Sequence, residues 1–201
     1  NIEHILVDGG STDNTISILK NYKNKNKKIF IKKKFKIYES INYAIKKSSG
    51  KFICILNSDD IFQSNNTIDK FVKFSSKHKK IDIFFGETVY FNFFNYHSIK
   101  RYYSSKNFKV FQMRYGLMPP HPSSFISRNI YKKYGLYDKS FKIAGDFEIF
   151  LRYFFVHRLN FKFFDQIVVR MRTGGISGSG VKSYIINTLE ILRALKKNKI
   201  Y

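Results

Sequence analysis

A chain of 201 residues fits one domain that buries a sizeable core. Its 37 basic and 14 acidic residues give a net charge of +23, which favours anionic partners such as nucleotide phosphates or an acidic membrane face. A nucleic-acid binder is not expected, because no zinc-ligand spacing or single-strand-binding signature occurs; biased coding composition is an alternative source of the charge. A single cysteine, Cys54, excludes an internal disulfide. No apolar run approaches the roughly 18 residues that span a bilayer.

The first half of the chain alternates between strand-like and helix-like patterns. Short apolar runs predict strands, and apolar residues at helical spacing between them predict helices. Because strands that alternate with helices are typical of an α/β fold, we expect a mostly parallel central sheet flanked by helices. In chain order the predicted strands are Ile5–Val7, Ile29–Ile31, Phe52–Leu56 and Ile81–Phe85, and the predicted helices follow Asp13, Lys36 and Asn66.

The second half is less regular. Residues 88–103 are aromatic and predict a hairpin or a sheet edge, and a proline-rich loop leads to a predicted strand at Ser124–Ile126. A helix is predicted from Asp146, with apolar residues at i, i+3, i+4 and i+7 from Phe147. The remaining predictions are strands at Phe161–Phe164 and Ile167–Met171, a glycine-rich segment at Gly174–Gly180, and an amphipathic helix carrying Ile185, Leu189, Leu192 and Leu195.

Clustered polar residues follow the buried strand at Phe52–Leu56. Asn57, Asp59 and Asp60 come directly after it, where open α/β sheets bind their ligands. Oxygen ligands of this kind suit Mg²⁺ or Mn²⁺, and such cations commonly neutralise substrate phosphates. The alternative is an Asp-rich turn without a metal.

Two other acidic positions stand at the ends of predicted elements. Asp8 ends a strand before Gly9, where a carboxylate can accept hydrogen bonds from a base or ribose; a plain turn capped by Ser11 is the alternative. Asp146 and Glu148 occupy the first turn of a helix. Such a carboxylate acts as a general base when it faces a cleft, or as a simple helix cap when it does not.

A histidine and a glycine-rich loop complete the candidate set. His121 lies between prolines in a stiff loop that we expect to be exposed, and a plain surface histidine is the alternative. Arg172, with the following segment that contains Gly175 and Ser177, could wrap a diphosphate with backbone N–H groups and a guanidinium. Glycine-rich loops are frequent, so this pattern is weak by itself.

Taken in this order, the motifs resemble a bacterial family 2 glycosyltransferase of the GT-A fold. The nearest resemblance is to members of colanic acid and other surface-polysaccharide biosynthesis. The matching segments, which span nearly the whole chain, are Ile5–Thr15, Phe52–Asp60, His121–Ile126, Tyr134–Asp138, Ala144–Arg152 and Gly174–Ser177.

The resemblance implies a role for each candidate. Asp8 would contact the nucleotide base, and Asn57 and Asp59 fall on the outer positions of the family's Asp-x-Asp motif. Asp59, helped by Asp60, would bind the metal, and Asp146 would deprotonate the acceptor in an inverting displacement. The resemblance also implies that Arg172 would offset charge on the leaving diphosphate and that His121 would lie near the acceptor or the diphosphate.

The resemblance also implies an organisation and a cellular setting. Residues 1–87 would form the nucleotide-sugar half of one domain, residues 88–180 the acceptor side, and residues 181–201 a C-terminal helix. The donor would be a nucleoside-diphosphate sugar, with uridine the expected base, and the acceptor a surface glycan or lipid-linked molecule. We expect a cytoplasmic location without a signal peptide, with the basic surface held against the anionic inner membrane face.

The chain departs from its relatives at two places. By this resemblance it would start at the family's second strand, so we expect the given sequence to lack the first strand and helix of the nucleotide pocket. Lys34-Phe35-Lys36 stands where relatives carry an acidic residue and a glycine. These departures leave a second hypothesis open, a truncated or catalytically silent relative that acts as a binding or scaffold protein in glycan assembly.

Overall fold

The computed structural model describes residues 2–92, 95–173 and 180–200. Within these residues the strands are β1 (His4–Asp8), β2 (Lys27–Ile31), β3 (Phe52–Cys54), β4 (Ile61–Phe62), β5 (Ile83–Asn92), β6 (Asn95–Tyr103), β7 (Ser124–Ser127) and β8 (Phe161–Arg172). The α-helices are α1 (Thr15–Asn21), α2 (Ile37–Lys47), α3 (Thr67–Ser76), α4 (Arg128–Tyr134), α5 (Gly145–Leu151) and α6 (Val181–Lys197).

The strands form two sheets. β1 pairs with β2 in a two-stranded parallel sheet, and the order β3-β7-β5-β8-β4, with β6 on β5, forms a six-stranded sheet. The expected mostly parallel pairing is wrong for these described strands. Only β1–β2 and β5–β8 are parallel, while β3–β7, β4–β8, β5–β6 and β5–β7 are antiparallel. Parallel neighbours need a long crossover such as α1 between β1 and β2, whereas β5 and β6 follow each other as a hairpin.

Helices cover both faces of the larger sheet. Along β5 the side chains of Ile83 and Phe85 enter one core, while Phe84 enters the other, as the two-residue strand period requires. The first core includes the buried faces of α2, α4, α5 and α6, and the second is built around Phe71 of α3. The aromatic residues therefore fill two layers, in which Phe71 stacks on Phe125 with ring centroids 3.7 Å apart.

Most predicted elements are confirmed, but their ends differ. β3 stops at Cys54, and the two predicted strands after residue 160 form the single strand β8. Between β5 and β8 the register shifts near Gly86, where a Cβ atom would lie 2.6 Å from Val168 Cγ2 and 2.7 Å from the Gln166 carbonyl oxygen. Glycine is required here because the two backbones approach too closely for a side chain.

The orientation of α6 is unexpected. Leu189 and Leu192 of its predicted apolar stripe are exposed, whereas Glu190 and Ala194 are buried. A surface helix ordinarily turns its apolar stripe to the core. In this chain the inward face of α6 instead carries a carboxylate that holds a neighbouring loop.

Candidate active site

Asp146 stands in the first turn of α5. Its side chain is partly exposed, whereas those of the other two catalytic candidates, Glu148 and His121, are buried. Its Oδ1 atom accepts a hydrogen bond from the backbone nitrogen of Phe147 at 2.8 Å. Burial raises the pKa of Asp146 to about 6, and the charge of Glu190 adds to this effect. A carboxyl group with such a pKa is largely ionised at neutral pH but holds a proton readily, as a general base requires.

The loop that leads to Asp146 is held from two sides. Tyr38 of α2 donates its hydroxyl hydrogen to the Ile143 carbonyl oxygen at 2.5 Å and accepts from the Gly145 amide at 2.8 Å. The Glu190 carboxylate of α6 accepts from the amides of Lys142, Ile143 and Ala144 at 2.7, 2.8 and 2.9 Å. Because these bonds fix the loop backbone, they also fix where α5 begins and where Asp146 lies.

Gly145 gives the Tyr38 clamp the space it needs. A Cβ atom at this position would lie 2.6 Å from Cζ of Tyr38. The Tyr38 ring also stacks on Tyr137, with ring centroids 5.7 Å apart, so a side chain at position 145 would displace a packed ring. The space beside Gly145 is therefore taken by the Tyr38 ring.

The polar cluster after β3 is organised around Asp60. This side chain is only 5% exposed, and its Oδ2 atom accepts from Asn57 Nδ2 at 2.8 Å. Its Oδ1 atom lies 3.4 Å from the backbone nitrogen of Arg172 at the end of β8, which donates to it. Burial raises the pKa of Asp60 to about 6, with a further contribution from the charge of Asp59. Asp59 itself is exposed.

The polar cluster after β3 offers few ligands for the expected divalent cation. In the part of the chain that the structure describes, no three His, Cys, Asp or Glu side chains converge on one point. A cage made by protein ligands alone is therefore not present among those residues. Mg²⁺ is commonly held by one or two carboxylates together with substrate phosphates and water, so Asp59 and Asp60 fit that smaller donor set.

Tyr90 of β5 is affected by the charges of both acidic groups, Asp60 and Asp146. Burial raises the pKa of Tyr90, and the charges of both Asp60 and Asp146 raise it further. The guanidinium of Arg101, on β6, lies 5.6 Å from the ring centroids of Tyr90 and Tyr103, and its charge opposes the effect of the carboxylates on Tyr90. Sequence analysis missed Tyr90 and Arg101, which carried no signal beyond their aromatic segment.

The turn after β1 uses Asp8 internally. Asp8 Oδ1 accepts from the amides of Gly10 and Ser11 at 2.8 and 2.9 Å, and the Ser11 hydroxyl donates to Oδ2 at 2.5 Å. The Ser11 hydroxyl is the main cause that lowers the pKa of Asp8. Gly9 packs so closely on the next loop that a Cβ atom would lie 2.7 Å from the Phe35 carbonyl oxygen. The structure therefore describes the turn itself, and nucleotide binding by Asp8, Gly9 and Ser11 stays a prediction.

His121 is buried, so the expected exposed loop is wrong. The ring is 8% exposed, and Nε2 lies 2.6 Å from the Tyr137 hydroxyl. Burial lowers the pKa of His121 to about 4, which keeps the ring neutral at pH 7. The flanking prolines stiffen the backbone, but packing against Tyr137 and Phe150 decides the burial. His121 is linked to the Asp146 loop through Tyr137, whose ring stacks on Tyr38, and it contacts α5 through Phe150.

Glu148 points away from Asp146 into a buried ion pair. It is fully buried, and its two oxygens accept from Arg152 Nε at 3.2 Å and Nη2 at 3.1 Å. Lys197 of α6 lies 3.4 Å from the same carboxylate. Arg152 also donates to the carbonyl oxygens of Tyr134 and Leu136. This arrangement joins α5 to its neighbours, so we leave Glu148 out of the proposed catalytic set.

The diphosphate-binding candidates are only partly described. Arg172 is exposed, and its amide joins the end of β8 to Asp60. Gly175 and Ser177 lie outside the described residues. A separate cavity of about 410 Å³, lined by Lys70, Glu87 and Gln166 among others, includes none of the predicted site residues.

The comparison with known sequences decides the family. The profile of glycosyl transferase family 2 matches residues 1–141, which is more than half of the chain. The chain belongs to glycosyl transferase family 2. It is 22% identical, over 93% of its length and 72% of the relative's, to a PGL/p-HBAD biosynthesis glycosyltransferase of Mycobacterium bovis. It is 27% identical to an uncharacterized glycosyltransferase of Methanocaldococcus jannaschii, over 98% of this chain and 64% of that protein.

Solved structures confirm the GT-A fold of this family 2 chain. TarS of S. aureus in complex with UDP superposes with a TM-score of 0.69 at 18% identity, and its complex with UDP-GlcNAc gives 0.70 at 19%. These matches cover 98% and 96% of this chain but only 55% and 57% of the TarS chain, so the chain spans little more than half of that protein. Among the described residues, no helix combines the length and apolar character needed to cross a membrane.

Proposed function

We propose that the chain transfers a sugar from a nucleoside-diphosphate donor to an acceptor hydroxyl with inversion at the anomeric carbon. The observation that carries this proposal is the partly exposed Asp146 carboxylate at the start of α5, whose loop is fixed by hydrogen bonds to Tyr38 and Glu190. In this proposal Asp60, beside Asp59, would serve the donor's diphosphate, and Asp146 would serve the acceptor hydroxyl.

In this reaction the acceptor oxygen forms a bond to the anomeric carbon while the bond from that carbon to the diphosphate oxygen breaks. Asp146 takes the acceptor proton, and the nucleoside diphosphate leaves with the electron pair of the broken bond. Asp59 and Asp60 would hold Mg²⁺ or Mn²⁺, which supplies positive charge against the developing charge of the leaving group. Asn57 fixes the Asp60 carboxylate, and Arg172 adds a second cation at the same edge.

Uridine is the favoured base. The TarS structures that share this fold contain UDP and UDP-GlcNAc, which supports a UDP-sugar as the donor. The mycobacterial relative is named for PGL/p-HBAD biosynthesis, and this supports a glycan or lipid-linked acceptor. A location at the inner membrane face would bring the chain to such acceptors.

The proposal is tested by titrating UDP into the protein with and without Mn²⁺, followed by a UDP-release assay with UDP-GlcNAc and UDP-glucose. Metal-dependent UDP binding that is lost in Asp59→Ala, together with UDP release that is lost in Asp146→Asn, is the expected result. Asp165→Asn is the matched control, because this carboxylate is exposed and far more open than Asp146. Failure of UDP to bind in the presence of Mn²⁺ would overturn the proposal.

A catalytically silent relative is the second candidate, because the loop after β2 departs from the family pattern. Lys34 adopts a left-handed backbone conformation with φ 71°, and this loop packs against the Gly9 turn. The expected acidic residue and glycine of that loop are replaced by Lys34-Phe35-Lys36. UDP binding without any UDP release from donor sugars would favour this candidate.

A further inference from the structure

The outward face of α6 carries a continuous apolar stripe. Val181, Tyr184, Ile185, Leu189 and Leu192 are 77%, 70%, 51%, 60% and 57% exposed, respectively. They recur at helical spacing, so their side chains stand above one another on one face. We call these five residues the α6 stripe. Single exposed apolar residues are ordinary on a protein surface, but a row of five along one helix marks an interaction surface.

The apolar surface continues beside α6. The turn at Gly116 lies against the helix, since a Cβ atom there would be 3.7 Å from Ile191 Cδ1. Phe111, Tyr115 and Leu117 around this turn are 55%, 77% and 51% exposed. The exposed apolar area is therefore formed by two segments that lie side by side.

Every exposed charged residue of α6 is basic, and one of them, Lys197, is paired with Asp138 of a neighbouring segment. The exposed charged residues of α6 are Lys182, Arg193, Lys196 and Lys197, whereas its single acidic residue, Glu190, is buried. Lys182 stands beside the first residue of the stripe, and Lys196 stands one turn beyond the last. An apolar row framed by basic side chains is the pattern of a helix that lies in the interface of an anionic bilayer. Tyr184 has the amphipathic ring that such interfaces favour.

We infer that α6 docks the protein on an anionic membrane, with the α6 stripe inserted among the lipid chains and the lysines among the headgroups. Such docking requires neither a nucleotide nor sugar transfer, so it goes beyond the proposed function. It also has a geometric consequence. Because Glu190 on the opposite face of α6 binds the loop before Asp146, that loop is held about one helix diameter, roughly 10 Å, from the membrane side. A lipid-linked acceptor would then reach Asp146 from the bilayer surface.

The test is flotation of the 201-residue chain with vesicles of phosphatidylcholine alone or mixed with phosphatidylglycerol. The chain is expected to float only with the anionic vesicles, and high salt is expected to weaken binding. The double variant Ile185→Gln/Leu189→Gln and the charge variant Lys182→Glu/Lys196→Glu are each expected to weaken it by about tenfold or more. Val72→Gln is the matched control, since Val72 is 55% exposed on the unrelated helix α3. It should bind like the parent chain.

Three outcomes would overturn the inference. They are absence of binding to anionic vesicles, equal binding to both kinds of vesicle, and unchanged binding by the double variant. Light scattering adds a further decisive result, because a dimer that the double variant abolishes would assign the stripe to a second copy of the chain. UDP titration of every variant keeps the two proposals apart. A variant that loses vesicle binding and keeps UDP binding has a defect in the α6 stripe alone. A variant that loses UDP binding and keeps vesicle binding has a defect in the nucleotide site alone.

Discussion

The carboxylate of Glu190 accepts a hydrogen bond of 2.9 Å from the backbone nitrogen of Ala144, two residues before Asp146. The same carboxylate accepts from Lys142 and Ile143, so it satisfies three consecutive amides of the loop. A charged acceptor makes stronger hydrogen bonds than a neutral one. Glu190 therefore sets the position of Asp146 by holding the backbone, and its negative charge also raises the pKa of Asp146.

Glu190→Gln is expected to lower kcat and to leave the KM for the donor unchanged. The pH profile gives the more specific readout. Removal of the negative charge lowers the pKa of Asp146, so the acid limb of the kcat profile should move to lower pH. Asp165→Asn removes an exposed carboxylate and should shift nothing. An unmoved acid limb in Glu190→Gln would contradict electrostatic coupling to Asp146.

Tyr38→Phe removes two hydrogen bonds from the Asp146 loop and keeps the ring that stacks on Tyr137. We expect a loss of about 1–3 kcal/mol in the free energy of unfolding, because a backbone donor and a backbone acceptor lose their partner. UDP release should fall while UDP binding persists, since the proposed function assigns this loop to the acceptor. Denaturant titration and UDP calorimetry measure these effects, with Tyr43→Phe as the control for loss of a tyrosine hydroxyl on α2. Equal stability of the two variants would refute the clamp.

Local patterns predicted the elements, and long-range contacts decided what the sequence could not. Asp60 and Asp146 were identifiable because each stands at the end of an element with a clear apolar pattern. Tyr38 lies 107 residues from Gly145, and Glu190 lies 46 from Ala144, so no spacing in the sequence could pair them. The strand pairing was mispredicted for the same reason, because β7 pairs with β3 and β5, which lie far from it in the sequence. The apolar stripe of α6 has the same residue spacing as a buried helix face, so its exposure could not be predicted from the sequence.

The pH dependence of stability follows from Asp60 and Asp146. Burial raises both folded-state pKa values to about 6 from the ordinary value of 3.8. The folded state therefore binds protons more tightly than the unfolded state, so these two groups make the protein more stable as pH falls from about 7 towards about 4. Thermal unfolding of the parent chain against the Asp60→Asn/Asp146→Asn double variant measures this contribution. The slope of stability against pH should be smaller in the variant.

Mn²⁺ should reverse that trend. In the proposed metal site a divalent cation would bind the ionised form of Asp60, so the rise in Tm produced by Mn²⁺ is expected to be largest above pH 6 and to disappear as Asp60 is protonated. Asp59→Ala should reduce the rise, while Asp165→Asn should keep it. A metal-induced rise that is identical in Asp59→Ala would place the cation elsewhere on the chain.

Glu148 and Arg152 form a buried ion pair, and mutating it shows whether Glu148 has a structural or a catalytic role. Glu148→Ala leaves the Arg152 guanidinium, which is 17% exposed, without its carboxylate, and we expect a loss of about 3–5 kcal/mol in the free energy of unfolding. Lys106→Met breaks the exposed pair of Lys106 with Asp165 and should cost only about 0–1 kcal/mol. UDP release by Glu148→Ala, measured at a temperature where the variant is folded, should stay near the parent value. Complete loss of UDP release from a folded Glu148→Ala protein would return Glu148 to the proposed catalytic set. A purely structural ion pair should change the stability alone and leave the acid limb of the kcat profile at the pKa of Asp146.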